Sequence, residues 1–479
     1  MPSIFRAPTC VLSLFLLVGA LAAAAPAETQ SLETLLAYLK SPNIGTRSDA
    51  ARKLGERRVR NQLAVESLSI AVRKDEAAEV RAEAVQALGK IKDFAAVPDM
   101  ISALKDTDPS VRPRAVWSLV ALYTEHDIDF ITNRREGWNL FNPFLDTRDH
   151  EVIEPYQAVD PSIIRGLGES ARGDRERDVR IASIRALGVL RGWGAIPQLA
   201  EALSADQDVR IEVIRTFIKI GDPTAGQYLI PFFHDSNQKV RTQAMVAAGL
   251  LKFRPAVAPL LSVYGLGPEK KGPVSKVTRA VKGVFTHNPP RDEAALWALS
   301  LIGDDRAEQT FVENIDDKNA MRRQYAFDGL ARIAEKRYLD QISRLVLTEG
   351  DADVKLAQHW ALYRMGSRPN IQYLIHDLDT DREEQARQYL MEIEDPSDLY
   401  PYIQSNSKVV RRRIIEILGR IGDQSTIKEL EPVARSSGAE TSDFATLAIK
   451  RIEWRMNGRP RAGGEVLRRD TAPPRAPNP

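Results

Sequence analysis

The sequence predicts an all-α solenoid, and three observations carry that reading. One segment pattern returns at a nearly constant interval along the chain. Apolar residues within each return fall on one helical arc. Glycine and aspartate recur at fixed places outside that arc. Val80 to Ile91 (VRAEAVQALGKI) and Val179 to Leu190 (VRIASIRALGVL) share Val-Arg at the front and Ala-Leu-Gly towards the back, and differ elsewhere.

Aligned on that opening position, the units begin at Thr46, Val80, Val111, Val179, Val209, Val240, Arg291, Arg322, Val354, Arg382 and Val410. Most intervals are 28 to 34 residues; those of 68 (Val111 to Val179) and 51 (Val240 to Arg291) each read as one period plus an insertion. A fixed period of this size marks an array in which each unit buries its apolar face against its neighbours. Counting from the start, apolar or small residues recur at +4, +5, +7, +8 and +11, as in Ala84, Val85, Ala87, Leu88 and Ile91, while +3, +6 and +10 collect polar residues. At about 100° per residue the first set fills one broad arc of a helix. Glycine at +9, in Gly55, Gly89, Gly188 and Gly419, allows close helix contact.

A second amphipathic helix precedes the next start, as in Ala95 to Lys105, Ala195 to Leu203 and Ala256 to Tyr264. Proline in its first turn fits a helix start, where its amide would have no partner. Five residues before the start stands Asp (75, 106, 174, 235, 317 and 377) or Ser (41, 204 and 405). These are turn and capping types that satisfy backbone amides between paired helices, and not a catalytic series.

The combination of Asp-x4-Val-Arg, Ala-Leu-Gly-x-Ile-Gly-Asp and Ala-x-Pro-x-Leu resembles HEAT repeats, especially the bacterial type akin to phycobilin-lyase HEAT-like units, from Tyr38 to Ala434. The resemblance implies a right-handed α-solenoid of about eleven helix pairs with two insertions, the second helix of each pair lining the concave face. It leaves function open, because such scaffolds serve many partners.

The expected organisation is a signal peptide (1–27), N-terminal repeats (28–124), an aromatic insertion (125–160), central repeats (161–264), a basic insertion (265–290), C-terminal repeats with a capping helix (291–457), and a Pro/Arg-rich tail without structure (458–479). Arg6, the apolar run Val11 to Ala25 and the small residues around Ala25-Pro26-Ala27 fit an export signal cut before Glu28. The run is short of the roughly 20 apolar residues a membrane span needs. Cys10 is the only cysteine, so the mature chain has no thiol for disulfides, thiolate metal sites or nucleophilic catalysis. The expected location is the periplasm or outside the cell, with no transmembrane segment in the mature chain.

With 67 Lys+Arg against 65 Asp+Glu, the net charge of +2 does not suit a nucleic-acid binder. Near-matches to known chemistry fail. Gly267 to Gly272 has phosphate-loop spacing but runs into Pro273-Val274, and His150-Glu151 lacks the second histidine of a zinc helix. No cofactor, metal or catalytic residue is expected.

The +6 position carries three of the six tryptophans, Trp117, Trp297 and Trp360, with Arg185 and Arg215 in other units and Arg114, Lys219 and Arg364 at +3 or +10. Trp and Arg are enriched at binding hot spots. These eight residues are the candidate partner-binding ridge; the competing reading has each Trp filling a gap between helices. Trp138, Phe141 and Phe144 of the first insertion are a second candidate contact, unless they fold back over the adjoining groove. The basic insertion (Lys270, Lys271, Lys276, Arg279 and Lys282) is either a solvated loop or one facing an anion. The function expected is a non-enzymatic scaffold of the bacterial cell envelope holding a protein or peptide on its concave face. The alternatives are a bilin lyase or chaperone-like enzyme, and recognition of envelope polysaccharide.

Overall fold

The computed structural model describes residues 30–124, 152–154, 157–267, 289–436 and 439–457, with the backbone of 459–460 and 466–467 besides. The expectations for residues 1–27, for Trp138, Phe141 and Phe144, and for the lysines and arginine of the second insertion fall outside these residues. The described residues form an α-solenoid. In each unit a first helix leads into a second, and the second helices pack against one another in chain order: Ile44–Glu56, Ala78–Ile91, Val111–Ala121, Arg177–Val189, Gln207–Ile220, Gln238–Leu250, Arg291–Ile302, Ala320–Ile333, Ala352–Arg364, Glu383–Met391 and Lys408–Ile421. The closing helix expected after the last repeat is Ala439–Asn457, which packs on Gln424–Ala434 and on Lys408–Ile421. In the tail Arg459–Pro460 pairs antiparallel with Val466–Leu467.

The repeated residues have identifiable tasks. Glycine at +9 brings second helices together: a Cβ on Gly55 would lie 2.6 Å from Ala87 Cα, and one on Gly89 2.7 Å from Ser118 Cα. At +12 the chain turns left-handed in eight units, at Arg58, Lys92, Arg191, Gly221, Lys252, Gly303, Ala334 and Gly366. This is the helix-ending conformation that glycine adopts without strain. At three of the four units with a long cation there, the side chain binds a carbonyl at or just past the end of the next second helix: Lys92 with Thr124 O, Arg191 Nη1 with Lys219 O (3.0 Å) and Lys252 Nζ with Leu301 O (2.6 Å). Positive charge at a helix C-terminus is electrostatically favourable and offsets the strain.

The Val-Arg motif has a role that spacing did not disclose. Arg81 sends Nε and Nη2 to Asp106 of the following unit (2.7 and 2.8 Å) and Nη1 to the carbonyl of Asp75 (2.9 Å), while Asp106 also accepts the Asp108 amide (2.8 Å). The same fork joins Arg47 to Asp75, Arg112 to Asp174 and, with Glu in place of Asp, Arg323 to Glu349. Burial raises the Asp106 carboxyl, but the Arg81 fork and the Asp108 amide outweigh it and hold it below the ordinary carboxylate range. Arg112 and Asp174 flank the first insertion, so the ladder keeps the period across it. Where Ser204 replaces Asp, Arg180 keeps its bond to the Asp174 carbonyl (2.8 Å) but comes no nearer than 3.9 Å to Asp206 of the following unit. The Asp series therefore ties neighbouring units together as well as capping turns.

Candidate functional site

The second helices curve inward, because residues from non-adjacent units meet on their shared side. Arg332, at +10 of the unit opening at Arg322, forks onto Glu392 two units on (2.9 and 2.7 Å). Lys252, four units before Glu392, reaches the same carboxylate at 3.4 Å. The Tyr389 hydroxyl donates to Asp328 at 2.6 Å, passing over the intervening unit. That unit supplies Trp360, whose indole stacks on the Tyr389 ring (4.2 Å, 7°) with the Arg332 guanidinium 4.7 Å from it. In the stretch from Lys252 to Glu392 the concave face is thus filled by the protein's own side chains.

Two of the three +6 tryptophans belong to this filling. Trp360 is fully buried and Trp297 is 9% exposed, stacked on Tyr325 at 5.6 Å. An exposed ridge of three indoles is therefore not what the structure shows. Curvature brings the second helices close enough for +6 side chains to pack on the next unit, where aromatic stacking adds to burial. Arg364 is also held inside, donating to the carbonyls of Ala331 (3.3 Å) and Glu392 (3.1 Å).

The N-terminal and central inner face differs. Trp117 is partly exposed and Arg114 is 42% exposed, bonded to Gln86 and 3.2 Å from Glu83. Arg185 and Arg215 converge on buried Glu212 (3.0 and 2.9 Å), so their charge is partly neutralised. Burial opposes ionisation of Glu212, yet the two guanidinium groups hold its carboxyl below the ordinary value. Lys219, half-buried, lies beside Gly188. The structure thus brings Arg185, Arg215 and Lys219 together, and separates them from Trp297, Trp360 and Arg364.

Sequence reasoning missed the filled stretch, where titration is most perturbed. Burial pushes the Asp328 carboxyl up to about 6, against the pull of Arg332 and the Tyr389 hydroxyl. Burial also opposes ionisation of Glu392, but Arg332 and Lys252 bring it down to about 2. Both ends of the Lys252–Glu392 contact are lowered, which favours the charge on Glu392 and opposes it on Lys252: burial and repulsion from Arg332 bring Lys252 down to about 8. Its side chain is still 42% open to solvent, so screening keeps the energetic consequence small, and both groups are charged at neutral pH. A visible signal was the acid at +6, Asp328, in a register that holds Trp or Arg in six of the other ten units.

Comparison with known proteins bears on this geometry. A profile of HEAT repeats matches residues 65–136 and 164–249. Those two stretches, about a third of the chain, are similar to HEAT repeats. It is 25% identical over 273 residues to the phycocyanobilin lyase subunit alpha of Nostoc sp. (strain PCC 7120), an alignment covering 55% of this chain and 87% of that one. The subunit alpha of Picosynechococcus sp. is 28% identical over 231 residues, covering 45% and 85%. Among solved structures, the two-subunit phycocyanin lyase complex from Nostoc sp. PCC7120 aligns at 18% identity and a TM-score of 0.28, over 76% of this chain and 99% of that one. A superposition of that quality carries no functional argument. The two sequence relatives do correct one expectation: both are named as subunits of a lyase, so the reading of this chain as a non-enzyme does not stand. No helix among the described residues is long and apolar enough to cross a membrane.

Proposed function

We propose that this HEAT-repeat scaffold is exported to the bacterial cell envelope and holds a protein or peptide segment on its inner face between Glu83 and Lys219. The observation that carries the reading is the division of that face. Trp117 and Arg114 are accessible there, whereas from Lys252 to Glu392 the corresponding surface is occupied from within. A partly exposed indole beside a guanidinium is the kind of anchor that dominates protein interfaces. Export is supported by Arg6, the apolar run Val11 to Ala25 and the small residues at Ala25 and Ala27.

A photo-crosslinking residue placed at position 117 tests the contact, with position 347 as the control because Leu347 is 81% exposed on a first helix. A partner crosslinked at 117 and absent at 347 supports the reading; identical products at both positions overturn it. N-terminal sequencing of the envelope fraction should return Glu28 as the first residue.

A second reading is favoured by the names of the two relatives: a lyase-type activity on a bilin chromophore. Incubation with phycocyanobilin and an apo-phycobiliprotein tests it, since an adduct that survives denaturation requires covalent attachment. Absence of that adduct removes the lyase reading and leaves the inner-face contact untouched.

A further inference from the structure

One arginine stands in a core register. At +5 the other units place Ala51, Val85, Val116, Ile184, Ile214, Met245, Leu296, Phe327, His359 and Ile415, but the unit opening at Arg382 places Arg387. The register is intact, because Ala386, Tyr389 and Leu390 around it are buried as their positions require. Arg387 is 4% exposed, and its Nε has no hydrogen-bond partner. A buried guanidinium with an unmet donor is costly and calls for an acceptor.

Arg387 lines a cavity of about 330 Å³ between helices Glu383–Met391, Lys408–Ile421 and Ala439–Asn457. Arg412, Arg413, Arg420 and Arg451 line it too, with Phe444 and Ile417 as apolar wall. The carboxylates nearby are ion-paired or hydrogen-bonded, although Glu383 Oε1 is itself buried without a hydrogen bond. Glu416 is shared by Arg412 and Arg413 (3.0 Å each), and Glu383 lies 3.0 Å from Arg413 and 3.7 Å from Arg387. Glu154 meets Arg451 at 3.1 Å, and Glu384 accepts from Gln388 at 3.3 Å. Among the described residues five guanidinium groups and four carboxylates meet around this cavity, which opens to solvent at Arg412 and Leu447. Burial, with Arg420 and Arg413 close by, lowers the Arg387 guanidinium below its ordinary value against the pull of Glu383 and Glu384.

We infer that this cavity binds a small amphiphilic anion, its carboxylate or phosphate group taken by Arg387 and its apolar body laid against Phe444 and Ile417. Arginine suits both headgroups through its planar fork of donors. At about 30 Å³ per water-sized group, the volume admits on the order of ten non-hydrogen atoms. The site lies at the C-terminal end of the inner face, so it is independent of what the N-terminal face holds.

Calorimetric titration of the full chain with octanoate, octyl phosphate, octanol and inorganic phosphate tests the inference. The expected result is saturable one-to-one binding of octanoate or octyl phosphate, the two arms telling carboxylate from phosphate, with octanol and inorganic phosphate at least tenfold weaker. Arg387→Met, which restores an apolar residue at +5, should weaken the binding at least tenfold and raise the unfolding midpoint. Arg420→Gln is a second variant, and Arg435→Gln, on an exposed first helix, should change nothing. No saturable binding, octanol or inorganic phosphate binding as tightly as the amphiphilic anion, or unchanged affinity in both Arg387→Met and Arg420→Gln would each overturn it.

Discussion

Replacing Asp328 by asparagine isolates the carboxylate of the filled inner face that burial raises. Its carboxyl titrates at about 6 in the folded protein against an ordinary 3.8. A raised acid means that the native state keeps a proton the unfolded chain has lost. The stability this group contributes is complete below pH 4 and is lost as pH rises through 6. The difference of 2.2 pH units, at 1.36 kcal/mol each, gives about 3 kcal/mol. Asparagine retains an oxygen to accept the Tyr389 hydroxyl but has no proton to lose. Urea unfolding at pH steps from 4 to 7, followed by fluorescence with Trp360 on Tyr389 as a local reporter, gives the difference between wild type and Asp328→Asn. Wild type should lose about 3 kcal/mol relative to the variant across that range. A constant difference, or one of opposite sign, would refute the claim that burial outweighs Arg332 at this site.

Arg81→Ala removes a fork from Asp106 and leaves that carboxylate partly buried, so it should cost about 3 kcal/mol by thermal or chemical unfolding. Gly89→Ala places a methyl 2.7 Å from Ser118 Cα, against backbone that cannot step aside alone, and about 1–3 kcal/mol of destabilisation is expected in the same assay. Trp360→Ala should cost about 3–5 kcal/mol, as for other buried aromatics. Trp117→Ala, at a partly exposed position, should stay under about 2 kcal/mol while weakening capture of the partner that the crosslink identifies.

Much of the solenoid was legible because a repeat states its own packing rules. The +4, +7 and +8 positions were read as core and are buried in unit after unit, and glycine at +9 marks close helix contact. The left-handed position at +12 was only half visible: Gly221 and Gly303 announce it, while Lys92, Arg191 and Lys252 hide it behind side chains that cap the next helix. First helices at Pro223–Tyr228, Ile230–His234 and Pro396–Tyr402 became tighter 3₁₀ segments, and each carries proline in its first turn. The inner face was the least legible part. Periodicity places Trp297, Asp328 and Trp360 on one face, but which of them stay open depends on curvature, which is set by contacts spanning two to four units. Arg387 is the converse case: its signal, a cation where every other unit but His359 has an aliphatic, aromatic or methionine side chain, lies in the sequence itself.

The division of the inner face rests on the contact from Lys252 to Glu392, two groups 140 residues apart. A carbodiimide joins an amine to a carboxylate only where the two touch, and mass spectrometry of the digested protein identifies the bond. The account predicts a Lys252–Glu392 crosslink in the free protein, alongside Lys105–Glu169, a solvent-exposed pair at 2.8 Å that serves as the internal standard. Recovery of Lys105–Glu169 without Lys252–Glu392 would mean that the C-terminal inner face is open in solution, contradicting the account.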